Sequence, residues 1–153
     1  MDNRNGQQAK DEEAIFNNFL KKCPYSIQND SIEKRQAPEP DILCKLLDGT
    51  PVCFELVECV DNSIAKSVYG DSLQGGFFSD DLSLERIAKK FGKKYSNSCD
   101  LLVYFDLQPV VAEKSWLPQV QNFIRENIKN SSFKRVWIYS IPQEKIMFVY
   151  PEL

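Results

Sequence analysis

Strand-like and helix-like apolar segments alternate along this chain, and the alternation limits the folds that it can adopt. The densest apolar segment, 52–60, has the length of a strand, whereas other segments repeat apolar residues every three or four positions, as an amphipathic helix does. The predicted order is helix 10–23, extended stretch 25–32, strands 41–47 and 51–60, helix 80–95, strand 101–107, helix 115–128, and strands 133–141 and 145–150. This order predicts an α/β fold in which helices flank one mixed β-sheet.

The length and composition indicate a single domain with a substantial core. The chain has 153 residues, 42% of them hydrophobic, and neither a repeat nor a linker divides it. Histidine is absent, which excludes Ser-His-Asp and Cys-His catalysis and histidine metal sites. The five cysteines form no C-x-x-C pair, so we expect free, buried thiols rather than disulfides or a zinc cluster.

Hydropathy and charge limit the cellular compartments and the classes of binding partner that we expect for this protein. The first ten residues are polar and the longest apolar runs span only five residues, so we expect a cytoplasmic protein with neither a signal peptide nor a membrane partner. A net charge of −3 argues against a protein that binds nucleic acid over its whole surface. The segment 85–94, however, carries five basic residues and one acid, a local net charge of +4 that suits a phosphate backbone.

Two acids on neighbouring predicted strands are the first candidate site. Asp48-Gly49-Thr50 is a strong hairpin signal, and this hairpin would place Asp41 and Glu55 at the same end of adjacent strands. Glu55 interrupts an apolar strand, where an ionised carboxylate is costly unless a cation accompanies it. The pair predicts a site for a hard divalent cation; alternatively, Asp41 is a turn acid after Pro40 and Glu55 forms a salt bridge with a surface lysine.

Several motifs in this order resemble the PD-(D/E)xK (restriction-endonuclease-like) nuclease superfamily. They are Pro40-Asp41-Ile42-Leu43, Asp48-Gly49, Phe54-Glu55-Leu56-Val57-Glu58, and the basic segment 85–95 that precedes Leu101-Leu-Val-Tyr104. The resemblance implies an αβββαβ core over about 10–107, in which 25–32 is the first meander strand. Residues 108–153 would then be a C-terminal elaboration of one helix and two strands.

The resemblance also implies a metal site. Asp41 and Glu55 match the two motif acids that would hold Mg²⁺ or Mn²⁺, with help from the carbonyl of Leu56, and Glu13 on the first helix is an additional candidate acid. Val57 is the departure from the motif, because it occupies the position where the family usually has its lysine.

Members of the superfamily that lack the strand lysine often supply it from the following helix. At about 100° per residue, Lys90 and Lys94 fall on one side of the apolar stripe of this helix, whereas Lys89 and Lys93 point outward. We therefore expect Lys90 to be the catalytic lysine, with Lys94 as the alternative. Lys89, Lys93 and Lys94 are the candidate substrate-binding residues; a solvated lysine face without a role is the simpler alternative.

These expectations combine into two functions of different classes. The first is Mg²⁺-dependent phosphodiester hydrolysis of nucleic acid, with DNA as the expected substrate. The alternative is a catalytically inactive nuclease-fold protein that acts as a binding or regulatory module, which the missing strand lysine and the acidic composition favour. A homodimer or a protein partner is open in both cases, and the glycine-containing segment 61–79 is expected to be a loop.

Overall fold

A single α/β domain is built around a six-stranded mixed sheet. The computed structural model describes residues 3–36, 40–59, 81–95, 99–106 and 117–153. The strands are β1 (Glu33–Lys34), β2 (Ile42–Lys45), β3 (Pro51–Glu58), β4 (Cys99–Phe105), β5 (Phe133–Ser140) and β6 (Lys145–Tyr150). The α-helices within those ranges are α1 (Asn3–Leu20), α2 (Asp81–Phe91) and α3 (Leu117–Asn127).

The strands follow one another across the sheet in the order of the chain, from β1 to β6. β1, β2 and β3 form an antiparallel meander. β4 pairs parallel to β3, β5 pairs parallel to β4, and β6 closes the sheet antiparallel to β5. Each parallel step requires a crossover, and α2 and α3 lie in the two crossovers. Both helices cover the same face, as expected when successive right-handed crossovers advance in one direction.

The two faces of the sheet carry separate apolar cores. The core between the sheet and the helices α2 and α3 includes Cys53, Val57, Ile87, Phe91, Leu101, Val103, Val120, Ile124, Val136 and Ile138. The opposite face packs on α1 and is rich in aromatic residues; it includes Phe16, Phe19, Ile42, Cys44, Phe54, Leu56, Leu102, Tyr104, Trp137 and Tyr139. Alternate residues of β3 therefore enter different cores, and Glu55 belongs to the face of α2 and α3.

The predicted α/β class and the order of the later elements are confirmed. The first helix spans Asn3–Leu20 rather than 10–23, and two further elements are corrected. The first meander strand is Glu33–Lys34 rather than 25–32, where Asn29–Ser31 forms a turn of 3₁₀ helix and only Ile27 forms a bridge, to Leu46. The second correction concerns α2, which ends at Phe91 and not at 95. Gly92 follows directly, and a glycine is a poor continuation of a helix because its backbone is so free.

Other predictions concern cysteines, membranes and segments outside the described ranges. All five cysteines are buried and form no disulfide, as predicted. None of the helices within the described ranges is long and apolar enough to cross a membrane. The predicted loop 61–79 lies outside the described residues. The predicted division into a core and a C-terminal elaboration stays a prediction, although β4 and β5 pair along their length in one sheet.

The assigned cores predict that two leucines contribute very differently to the free energy of unfolding. Leu102 of β4 is fully buried on the face of the sheet that packs on α1, whereas Leu47 at the hairpin is 69% exposed. Leu102→Ala should lower the free energy of unfolding by about 2–5 kcal/mol because it leaves a cavity. Leu47→Ala, the matched control, should change it by less than about 0.5 kcal/mol. Urea denaturation followed by circular dichroism measures both, and equal losses would contradict the assigned cores.

Candidate functional site

The β2–β3 hairpin brings Asp41 and Glu55 together, as the sequence predicts. Ile42 pairs with Phe54, so Asp41 lies opposite Glu55 just before β2 begins. The backbone amide of Asp41 donates to Oε1 of Glu55 at 3.2 Å. The side chain of Asp41 in turn accepts a hydrogen bond at Oδ2 from the amide of Leu56, at 2.8 Å. The two acids are therefore fixed to the same stretch of β3.

Among the described residues, no strand pairs with β3 beyond this point on its β2 side. The pairing with β2 ends at Phe54, while β3 continues to Glu58. Since the amide of Leu56 points towards Asp41, its carbonyl points to the same side of the strand. From α2, Arg86 reaches this edge, and its Nη1 donates to the carbonyl of Glu58 at 3.2 Å. The Leu56 carbonyl, the predicted third ligand, thus faces the side of β3 that β2 leaves unpaired.

Lysine side chains from α2 and the residues after it meet Glu55. Nζ of Lys90 lies 3.2 Å from Oε2 of Glu55, which agrees with the orientation expected for Lys90. Nζ of Lys93 lies 4.0 Å from the same oxygen, so the expected outward orientation of Lys93 is wrong. The reason is that α2 has ended at Phe91, and helical rotation no longer sets the direction of residue 93. Lys94 is exposed.

Tyr95 is not among the predicted site residues. It is the last residue of the predicted helix 80–95, but α2 ends at Phe91, and the Tyr95 side chain reaches Glu55. The hydroxyl of Tyr95 donates a hydrogen bond to Oε2 of Glu55. Gly92, three residues before the end of the predicted helix, is the signal that could have shown this.

A pocket of about 250 Å³ opens beside this cluster at the edge of β3. Its lining residues are Glu12, Leu56, Val57, Glu58, Arg86, Lys89 and Lys90. Glu13, the additional acid suggested by the resemblance, is exposed. The preceding residue, Glu12, is the buried acid; it bonds Lys34 at 3.2 Å and the hydroxyl of Tyr104 at 3.1 Å. One residue is a rotation of about 100° on a helix, which separates the buried from the exposed glutamate.

The two carboxyl groups differ in their affinity for a proton. Burial, and then hydrogen bonding to Glu55, raise the pKa of Asp41 to about 7. Burial also opposes the ionisation of Glu55, but hydrogen bonds to Asp41 and Tyr95 and the charge of Lys90 outweigh it and lower the pKa of Glu55. Below about pH 7 the pair therefore carries one proton, held mainly by Asp41, while Glu55 is ionised.

The candidate ligands are oxygen atoms, which Mg²⁺ and Mn²⁺ prefer, but the protein supplies few of them. Asp41, Glu55 and the carbonyl of Leu56 provide hard oxygen atoms, and Mg²⁺ in phosphate sites is commonly held by one or two carboxylates while it keeps several waters. Within the described ranges, no group of three or more Cys, Asp or Glu side chains is arranged to hold a metal ion. The residues thus fit a metal that is also bound by water or substrate.

Comparison with protein-family models, with curated proteins and with solved structures gives no match to this chain.

The raised pKa of Asp41 predicts a pH-dependent stability. Between about pH 4 and pH 7 the unfolded chain has lost the Asp41 proton while the folded protein retains it. The free energy of unfolding attributable to Asp41 therefore falls as the pH rises through this window. In metal-free buffer at pH 8, Asp41→Asn should raise the free energy of unfolding by about 1–2 kcal/mol, a value reduced from the full linkage because the side chain is partly solvated.

Urea denaturation of both proteins between pH 4 and pH 8 measures this effect, and the gain from Asp41→Asn should shrink towards pH 4. Asp48→Asn at the hairpin is the control. Hydrogen bonds from Thr50 lower the pKa of Asp48, so this substitution should not stabilise the protein as the pH rises. A gain of the same size from both variants would contradict the assigned protonation of Asp41.

Proposed function

We propose that this protein is a Mg²⁺- or Mn²⁺-dependent phosphodiesterase that hydrolyses nucleic acid, with DNA as the expected substrate. The observation that carries the proposal is the convergence of Asp41, Glu55 and Lys90, in which Nζ of Lys90 lies 3.2 Å from Glu55. This is the set of two acids and one lysine that the PD-(D/E)xK resemblance requires. The order helix, three-stranded meander, helix and parallel strand also supports a restriction-endonuclease-like core.

Asp41 and Glu55 would hold the metal, with the Leu56 carbonyl, on the side of β3 that β2 leaves unpaired, as a third oxygen. When bound, the metal ion lowers the pKa of a coordinated water and neutralises charge on the phosphoryl oxygens. The shared proton of the acid pair must leave for both carboxylates to act as ligands. Metal affinity should therefore increase with pH up to about pH 7.

Lys90 would supply the positive charge that Val57 cannot. Its side chain is 23% exposed and lines the pocket at the β3 edge together with Lys89 and Arg86. An ammonium group held beside a buried strand stabilises negative charge on a phosphate more strongly than one in bulk water does, because the effective dielectric constant is lower there. The same ammonium already neutralises Glu55, so it needs little rearrangement to reach a substrate in this pocket.

The basic residues of the same region are the proposed nucleic-acid interface. Two of them, Arg86 and Lys89, lie on α2, and Lys93 and Lys94 lie in the segment directly after it. They form a local positive surface on a protein whose net charge is −3. A phosphate backbone is the partner that such a stripe suits, and its binding should weaken as salt increases. A cytoplasmic location agrees with five cysteines that form no disulfide, because reducing compartments keep thiols from being oxidised.

One observation favours the alternative, an inactive nuclease-fold protein that acts as a binding or regulatory module. The carboxylate of Glu55 already accepts hydrogen bonds from the amide of Asp41, from Tyr95 and from Lys90. These contacts satisfy the buried charge without a metal ion. In that case the basic surface would bind nucleic acid or an acidic protein partner without cleaving it.

The metal site predicts a stabilisation that depends on Asp41. Mn²⁺ at 10 mM should raise the melting temperature of the wild-type protein by about 3–5 °C, if the dissociation constant is about 1 mM, because it binds only the folded state. Asp41→Asn should abolish the shift, whereas Asp48→Asn should retain it. Differential scanning fluorimetry with isothermal titration calorimetry measures both quantities. The metal site is wrong if wild-type protein takes up no metal at millimolar concentration.

A cleavage assay distinguishes the proposed enzyme from the alternative, a binding module without catalytic activity. With Mn²⁺, the protein should nick plasmid DNA or degrade oligonucleotides, and Glu55→Gln should remove this activity. Lys90→Met should lower kcat by about 100-fold with little change in KM, because its charge is needed chiefly in the transition state. Lys94→Met, the matched control, should leave kcat alone, weaken binding a few-fold and flatten its salt dependence. Salt-sensitive binding of DNA or RNA without cleavage would favour the binding module.

A further inference from the structure

The Glu55 carboxylate is held at both of its oxygen atoms by groups from three parts of the chain. The backbone amide of Asp41 donates to Oε1 at 3.2 Å. At Oε2 the carboxylate contacts Nζ of Lys90 at 3.2 Å, Nζ of Lys93 at 4.0 Å and the hydroxyl of Tyr95. Asp41 belongs to the hairpin, Lys90 to α2, and Tyr95 to the segment after α2.

Among these donors, Tyr95 is the side chain that the fold itself holds in place. Its ring packs on Phe133 of β5, with ring centroids 5.8 Å apart, and joins the core under α2 and α3. Its backbone amide donates to Oγ of Ser132 at 3.4 Å, and this hydroxyl donates to the carbonyl of Lys93 at 3.4 Å. The segment 93–95 is thereby fastened to the start of β5.

Lys90 and Tyr95 differ in how firmly they can orient a carboxylate. A lysine ammonium ends a flexible chain of four methylene groups and gives little directional constraint, whereas a tyrosine has two rotatable bonds and a rigid ring. Glu55 itself is 4% exposed and lies on a strand face between Cys53 and Val57, which contribute no cation. A fixed hydroxyl at Oε2 and a fixed amide at Oε1 set the plane of the carboxylate.

We propose that Tyr95 is a positioning residue that fixes the orientation of the Glu55 carboxylate for the chemistry of this site. Its catalytic consequence rests on the proposed phosphodiesterase, but the positioning itself does not. Ligands and charges contribute most when they are held within about half an ångström of their working geometry. Tyr95 touches Glu55 and acts through it, so its loss should impair turnover more than substrate binding.

A double-mutant cycle tests the positioning in the metal-free protein. Tyr95→Phe removes only the hydroxyl, and Glu55→Leu removes the acceptor while it fits the apolar strand face. Tyr95→Phe should lower the urea midpoint in the wild-type background and have a clearly smaller effect in the Glu55→Leu background. Tyr104→Phe, whose hydroxyl donates to Glu12 on the other face of the sheet, is the control and should have the same effect in both backgrounds. Should Glu55→Leu fail to fold, Glu55→Met replaces it in the cycle.

Kinetics with Mn²⁺ and an oligonucleotide supply the second readout. Tyr95→Phe should lower kcat about tenfold and leave KM within a factor of two. Coupling in the cycle together with this split supports the proposal. Coupling without cleavage by the wild-type protein overturns the phosphodiesterase and supports Tyr95 as the residue that orients Glu55. Equal losses of stability in both backgrounds overturn the role of Tyr95, as does an unchanged kcat in a variant that cleaves.

Discussion

The burial of one ionised carboxylate organises this end of the molecule. Glu55 lies on a strand face that otherwise packs apolar side chains beneath α2 and α3. Removing an unpaired carboxylate from water costs several kcal/mol, so groups of opposite charge or donor character must accompany it. At Glu55 this requirement is met by the backbone amide of Asp41, by the ammonium groups of Lys90 and Lys93, and by the hydroxyl of Tyr95. The hairpin, the end of α2 and the start of β5 are consequently tied to one residue of β3.

Asp100, a buried acid on the opposite face of the sheet, is stabilised by a different set of partners. Oδ2 of Asp100 accepts hydrogen bonds from the hydroxyl of Tyr25 at 2.7 Å and from Nε1 of Trp137 at 2.9 Å. Arg135 completes the network through the Tyr25 hydroxyl at 2.6 Å. Asp100 is 2% exposed, whereas Glu55 adjoins Lys90, which lines a pocket. Asp100 is thus enclosed by its hydrogen-bond partners, whereas the Glu55 cluster borders a pocket through Lys90.

The meander explains why the pocket forms where it does. β2 is four residues long and β3 is eight, so the later part of β3 has no β2 partner. Asp41 compensates part of this loss, because its carboxylate accepts the bond from the Leu56 amide that another strand would have accepted. The remaining edge is approached by Glu12 from one side of the sheet and by Arg86, Lys89 and Lys90 from the other. An unequal hairpin therefore creates both the acid pair and the space beside it.

The sequence by itself determined the α/β class, the hairpin, the pairing of Asp41 with Glu55 and the direction of Lys90. These features follow from local periodicities, a turn signal and helical rotation, which act over a few residues. Only the tertiary structure decided that α2 ends at Phe91, that Lys93 and Tyr95 meet Glu55, and that Glu12 rather than Glu13 lines the pocket. Their positions depend on contacts between distant segments, such as Tyr95 with Phe133 and Glu12 with Tyr104. A pattern of neighbouring residues cannot reveal such contacts, because burial of the carboxylate and packing of the aromatic rings are satisfied together only in the folded chain.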